Sequence, residues 1–323
     1  MNRINLYWPI YKNLEKEVIE ISNYIHFDDD QLSTYSIHIG DLIIRCAVEI
    51  ESLSKELYIR EGGNPCLVDT DGKNRDLYFD TDCLELLNQK WNICKKVVYI
   101  VSPSFYFELE KNSVLRPLHK SNKRGSSGSK WKQAYQQIKH NRAENLKFAN
   151  INNLLHALAA LYLLNIYYRD ESFSQEPGTG PYDFNSGCGS DIFSVVLCNA
   201  TKVSISSEIR DSNIEHIEYE KLDEAVYVLK YTNESAQELC NEMIRADERL
   251  KQDLLNSNEV IELFMKNPEY KADNLMQLAH DSGVESRVMQ HYGRSFLSGI
   301  QKAKREIILC KNEEIYGVIS ANI

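Results

Sequence analysis

No two of the eight cysteines in this sequence stand as a CxxC pair; they lie scattered at positions 46, 66, 83, 94, 188, 198, 240 and 310. That scatter excludes a zinc ribbon and a disulfide-stapled scaffold, and it fits reduced thiols in a cytosol-like, cytoplasmic setting. A membrane-length apolar run is also missing. The longest, "LLHALAALYLLNIYY" at 154 to 168, contains His156 and Asn165 and falls short of the roughly 20 residues that cross a bilayer. It reads as a buried helix, and no membrane partner is expected. The first residues, "MNRINLYWPIYKNLEKEVIEI", carry acids and a proline where a signal peptide needs an unbroken apolar core.

Sequence signs of cofactors and metals are equally scarce. The glycines of "GTGPYDFNSGCGSD" match neither GxGxxG nor Walker spacing, so no nucleotide cradle is expected, and Cys188 between two glycines reads as exposed. Asp69, Asp71 and Gly72 open like a calcium loop, but no Glu closes it. The triplet Asp82, Glu85 and Lys90 has the residue types of a restriction-type nuclease, on what reads as a helix. His216, His280 and His291 are isolated and read as structural. No cofactor and no metal site are predicted, and there is neither an internal repeat nor a heptad run long enough for a coiled coil.

What is present is ordinary for a soluble globular chain: 323 residues, 43% hydrophobic and 26% charged, enough for about two domains. The formal net charge is −10, which excludes a histone-like binder. One local absence stands out. No Asp or Glu occurs from Lys111 to Ala143, while nine Lys or Arg do: 111, 116, 120, 123, 124, 130, 132, 139 and 142. An acidic protein that gathers positive charge in one window points to an anionic partner, and phosphates suit it best.

Periodicity predicts helices over 11–26, 35–63, 131–142 and 145–168, with "PLHKSNKRGSSGSK" (117 to 130) as a surface loop. Between 64 and 110 one helix is followed by an apolar extended piece, with Pro103 as a break. A second connection at 174 to 191 marks the candidate domain boundary. Beyond it, "IFSVVLCNATKVSIS" and "EAVYVLKYT" read as strands, and about 234 to 310 returns to helices, with "KAKREIILCK" a second small basic cluster.

Within "WKQAYQQIKHNR", Trp131 and Ile138 are expected to face the core, while Lys132, Gln136, Lys139 and His140 lie on other sides. A neutral His140 would accept a proton from a ribose hydroxyl, while Arg142 and Lys139 steady phosphate charge and Asn141 positions it. Glu49 falls on the apolar stripe of the 35–63 helix and needs a cation, which Lys139, His140 or Arg142 would supply. Lys120, Lys123, Arg124, Lys130, Lys132 and Lys139 complete a nucleic-acid surface. The plain alternative for each residue is a helix cap, an ion pair or a solvated face.

The run "EIESLSKELY", a basic insertion, then "WKQAYQQIKHNR" leading into "ANINNLLHALAALYLL" resembles the HEPN superfamily over residues 33 to 168. These are helical-bundle domains, many of them ribonucleases of toxin–antitoxin, CRISPR and anti-phage systems, with a motif written R-N-x-x-x-H. Aligned on His140, Tyr135 stands at the arginine position and Gln136 at the asparagine, so Arg142 would have to supply the guanidinium.

The resemblance implies a mainly α protein. A HEPN-like bundle would occupy 1–172 and a smaller mixed α/β portion 190–323. The implied function is a metal-independent endoribonuclease of bacterial defence or toxin biology, acting as a homodimer or as a subunit of a defence complex. The alternative is a non-catalytic HEPN-like module, an antitoxin or sensor, that binds nucleic acid or protein. A third reading has the basic loop hold a DNA backbone without chemistry.

Overall fold

Ser36 fixes where the long helix α2 (Ile37–Arg60) begins, its hydroxyl accepting from Ile39 N at 3.1 Å. Gly62, at φ +87, ends it. Ahead of it lies α1 (Tyr7–Ser22), and the largely buried apolar helix α7 (Ile151–Arg169) starts at an Asn150 cap. The computed structural model describes residues 6–119, 129–176, 184–207, 212–219, 221–272 and 274–311. Between α2 and α7 run α3 (Leu84–Trp91), α4 (Glu110–Ser113), α5 (Lys130–His140) and α6 (Arg142–Asn145). After α7 come α8 (Asn233–Leu255), α9 (Asn258–Lys266), α10 (Leu275–Asp281) and α11 (Glu285–Lys302). The chain is mainly helical, with strands, as the periodicity predicts.

The short strands β1 (Phe27–Asp28), β2 (Leu67–Val68), β3 (Asn74–Arg75), β4 (Val98–Ile100), β5 (Phe105–Tyr106) and β6 (Val114–Leu115) belong to the first half. The second holds β7 (Phe173–Gln175), β8 (Phe193–Val195), β9 (Leu197–Ser207), β10 (Ser212–Tyr219), β11 (Tyr227–Tyr231) and β12 (Arg305–Leu309). A five-stranded sheet runs β10-β9-β11-β12-β7, and a three-stranded one runs β6-β4-β8. Packing is continuous across the expected boundary at 174–191. Leu158, Tyr162 and Tyr167 of α7 share one apolar core with Phe193, Tyr227, Leu229, Ile307 and Leu309.

Two element expectations are corrected. The helix expected over 131–142 breaks at Asn141, whose φ of −152° leaves the helical region, and α7 starts only at Ile151. The segment "REIIL" in the expected last helix is instead strand β12. Its β-branched residues pair antiparallel with β11, Tyr231 opposite Arg305 and Tyr227 opposite Leu309, because the β11 edge offers ladder hydrogen bonds that a solvated helix end does not.

The whole of α8–α11 is therefore inserted between two paired strands. The Thr232 N–H donates to Lys304 O at 3.1 Å across its base. The insertion has an apolar core of its own: Leu250, Leu254, Ala279, Val284 and Val288.

Candidate nucleic-acid interface

α5 is amphipathic, and its apolar side explains its position. Trp131, Ala134, Tyr135 and Ile138 recur at three- and four-residue steps and are buried. The Trp131 indole N–H donates to Pro117 O at 2.9 Å, and its ring meets Phe79 edge-on at 5.6 Å. The helix runs antiparallel to α2, with Lys132 beside Glu51 at one end and Arg142 beside Asp41 at the other. A Cβ at Gly40 would stand 3.2 Å from the Ala149 Cβ and 4.0 Å from Ile138, so glycine lets α2 come close to the segment that leads into α7 here.

Lys132 is not on a solvent face, contrary to its expected place. It is 7% exposed, ion-paired to Glu51, and lies over the rings of Phe79 (5.0 Å), Tyr135 (5.6 Å) and Trp131 (5.9 Å). A desolvated ammonium satisfied by a carboxylate and aromatic faces is structural.

Arg142 donates to Asp41 at 2.8 Å, and the Asn141 side chain accepts from Glu144 N at 3.4 Å to cap α6. Arg116 is paired to Glu224. Carboxylates from distant parts of the chain thus meet three of the nine cations of the acid-free window: absence along the sequence does not carry over to the surface.

Glu49 does not reach the cations of α5. It is half-buried and makes no hydrogen bond to a described residue. Burial raises its pKa, and the Arg45 charge works against that. The reason is helical phase: at 100° per residue Glu49 stands about 160° round from Glu51, so the register that brings Lys132 to Glu51 turns Glu49 away. Arg45 itself reaches Glu17 of α1, at 2.8 Å to both oxygens.

Lys130, Lys139 and His140 are left on the solvent side of α5. Lys130 and Lys139 make no ion pair with a described residue, and the Lys139 ammonium lies 5.3 Å over the Tyr135 ring. Lys111 is exposed and close enough to Asp29 to help lower its pKa, after the hydrogen bonds from Asn112, Leu109 and Glu108. Lys120, Lys123 and Arg124, with most of the expected loop, lie outside the described residues, as does the side chain of His216.

Elsewhere, Cys188 is buried rather than exposed, at φ +48°. Burial pushes its thiol up to about 11, so it is not poised as a thiolate. It lines a cavity of about 590 Å³ with Phe173, Phe184 and Arg169. The Arg169 guanidinium is already held by Glu171, by the Cys188 carbonyl at 2.9 Å and by the Trp8 ring at 4.2 Å. None of the candidate site residues lines that cavity. Among the described residues no cluster of His, Cys, Asp or Glu could hold a metal, and no helix is long and apolar enough to cross a membrane. No protein-family model, curated protein or solved structure matches the chain.

Proposed function

We propose that this chain is a non-catalytic RNA-binding module, the alternative to the endoribonuclease that its HEPN resemblance suggests. One observation carries the reading. Lys130 and Lys139 stand exposed at the two ends of α5 without carboxylate partners among the described residues, while the groups needed for cleavage are not gathered about His140. Asn141 caps a helix, Glu49 faces away from His140, and Arg142 rests in an exposed pair with Asp41. The exposed ammonium groups suit phosphate, which they contact as point charges without reading sequence. His140, beside them, is a further donor.

The test is fluorescence anisotropy of the full chain with a labelled single-stranded RNA 25-mer of mixed sequence, in EDTA, at low and moderate salt. Binding should weaken as salt rises, and the Lys130→Ala/Lys139→Ala double variant should bind several-fold more weakly with a shallower salt slope. The RNA should emerge intact. RNA cut by the wild type and spared by His140→Ala would instead establish the endoribonuclease, with Arg142 in the family arginine's role. Equal binding by the double variant would remove α5 from the interface, and tighter binding to the matched DNA strand would make DNA the ligand.

A further inference from the structure

α10 closes in a tight reverse turn. The Gly283 N–H donates to His280 O at 3.0 Å and the Val284 N–H to Ala279 O at 2.8 Å, the paired bonds of a Schellman cap. Gly283 has φ +78°, a conformation that side-chain-bearing residues adopt only under strain. α11 begins at once, because the Val284 carbonyl accepts from Arg287 N at 3.0 Å and Val288 N at 3.3 Å. Only Ser282, Gly283 and Val284 separate the two helices, the turn length of a helix-turn-helix. The corner is supported from beneath: Ala279, Val284 and Val288 pack with Leu250 and Leu254 of α8, and α9 buries Val260.

The outer face of α11 carries a different set. Ser286, Arg287, Gln290 and Arg294 are all exposed. At 100° per residue they fall within an arc of about 100°, and the 286–294 span rises about 12 Å. An α-helix, about 10–12 Å across with its side chains, fits a major groove about 12 Å wide, and this arc is the face it would turn to the bases. No Asp or Glu occurs from Ser286 to Arg305, where five Lys or Arg stand, whereas residues 233–281 hold eleven acids and five bases. Past its first residue, Glu285, α11 is thus the positive part of an otherwise acidic insertion. Arg287 rests against Glu259 at 3.1 Å, but both side chains are exposed, and such a pair costs little to exchange for phosphate or base.

We infer that α10, its turn and α11 form a helix-turn-helix element that binds duplex DNA, with the amino-terminal half of α11 in the major groove. Arg287 and Arg294 have the paired donors that match guanine O6 and N7, Gln290 matches adenine N6 and N7, and Ser286 takes either kind of partner. This surface is separate from α5 and does not rest on the RNA reading.

The test selects from a pool of random 20-base-pair duplexes with the full chain, then measures anisotropy on the selected duplex. The pool should converge on a sequence motif. Gln290→Ala and Arg294→Ala should each weaken binding about ten-fold or more; neither side chain hydrogen-bonds a described residue, so circular dichroism should be unchanged. Lys130→Ala/Lys139→Ala should leave duplex binding intact, which separates this inference from the α5 reading. A pool that does not converge would overturn the proposal. So would α11 variants that bind like the wild type, or duplex binding no tighter than that of single-stranded RNA of equal length.

Discussion

Burial holds the His156 ring neutral and brings its pKa down to about 4, with the Lys130 charge adding to the effect. An unfolded histidine titrates near 6.5, so as pH falls the unfolded chain takes up this proton first. The contribution is full above about 6.5 and is lost progressively towards about 4, a penalty of roughly 2–3 kcal/mol. Urea melts at pH 7 and pH 4.5 should show that loss, and His156→Gln should reduce the difference between the two pH values by about 2 kcal/mol. An undiminished pH dependence in the variant would place the acid lability in the carboxylates. Lys132 illustrates a related point. Its residue type and helical position both argue for solvent, yet the Glu51 carboxylate and three rings enclose it. A partner 81 residues away in sequence leaves no mark on a local pattern.

Among the elements, α1 is tied down by one carboxylate. Buried Glu15 accepts through Oε1 from Tyr11 Oη at 2.7 Å, Asp191 N at 3.0 Å, Ile192 N at 3.2 Å and the Ser190 hydroxyl, and through Oε2 from Lys12 at 2.5 Å. The clasp joins the first helix to the segment entering β8. Glu15→Ala would leave those donors facing a void, and a loss of about 3 kcal/mol in urea denaturation is expected. A loss below about 1 kcal/mol would mean that the apolar face of α1 holds it unaided. Helices α1, α2 and α7 were legible because each is long and strongly periodic or continuously apolar. β12 was not: its five residues continue a helical stretch, and only the β11 edge makes them a strand. The helix-turn-helix corner did have a sequence signal, Gly283 between two apolar helical runs, but reading it requires knowing that α10 and α11 pack on one small core.

At the scale of the whole molecule, the α8–α11 insertion and the main body have separate cores and meet at the β11–β12 pair and where α8 runs beside β10. Replacing residues 232–304 with Asn-Gly would join Tyr231 to Arg305, which already face each other across the ladder, through a favoured two-residue hairpin turn. The shortened chain should remain folded, with one cooperative melting transition by circular dichroism and with duplex binding lost. A chain that fails to fold would show that the body needs the insertion. Sequence by itself determined the helical character, the strands within 192–206 and 224–232, the largely buried fate of the 154–168 run and the concentration of basic residues between 111 and 143, because these follow from local periodicity and composition. Only the tertiary structure decided which of those basic residues remain unpaired. Asp41, Glu51 and Glu224 reach Arg142, Lys132 and Arg116 through helix register and chain reversal, and electrostatic pairing depends on distance in space, not on position along the chain.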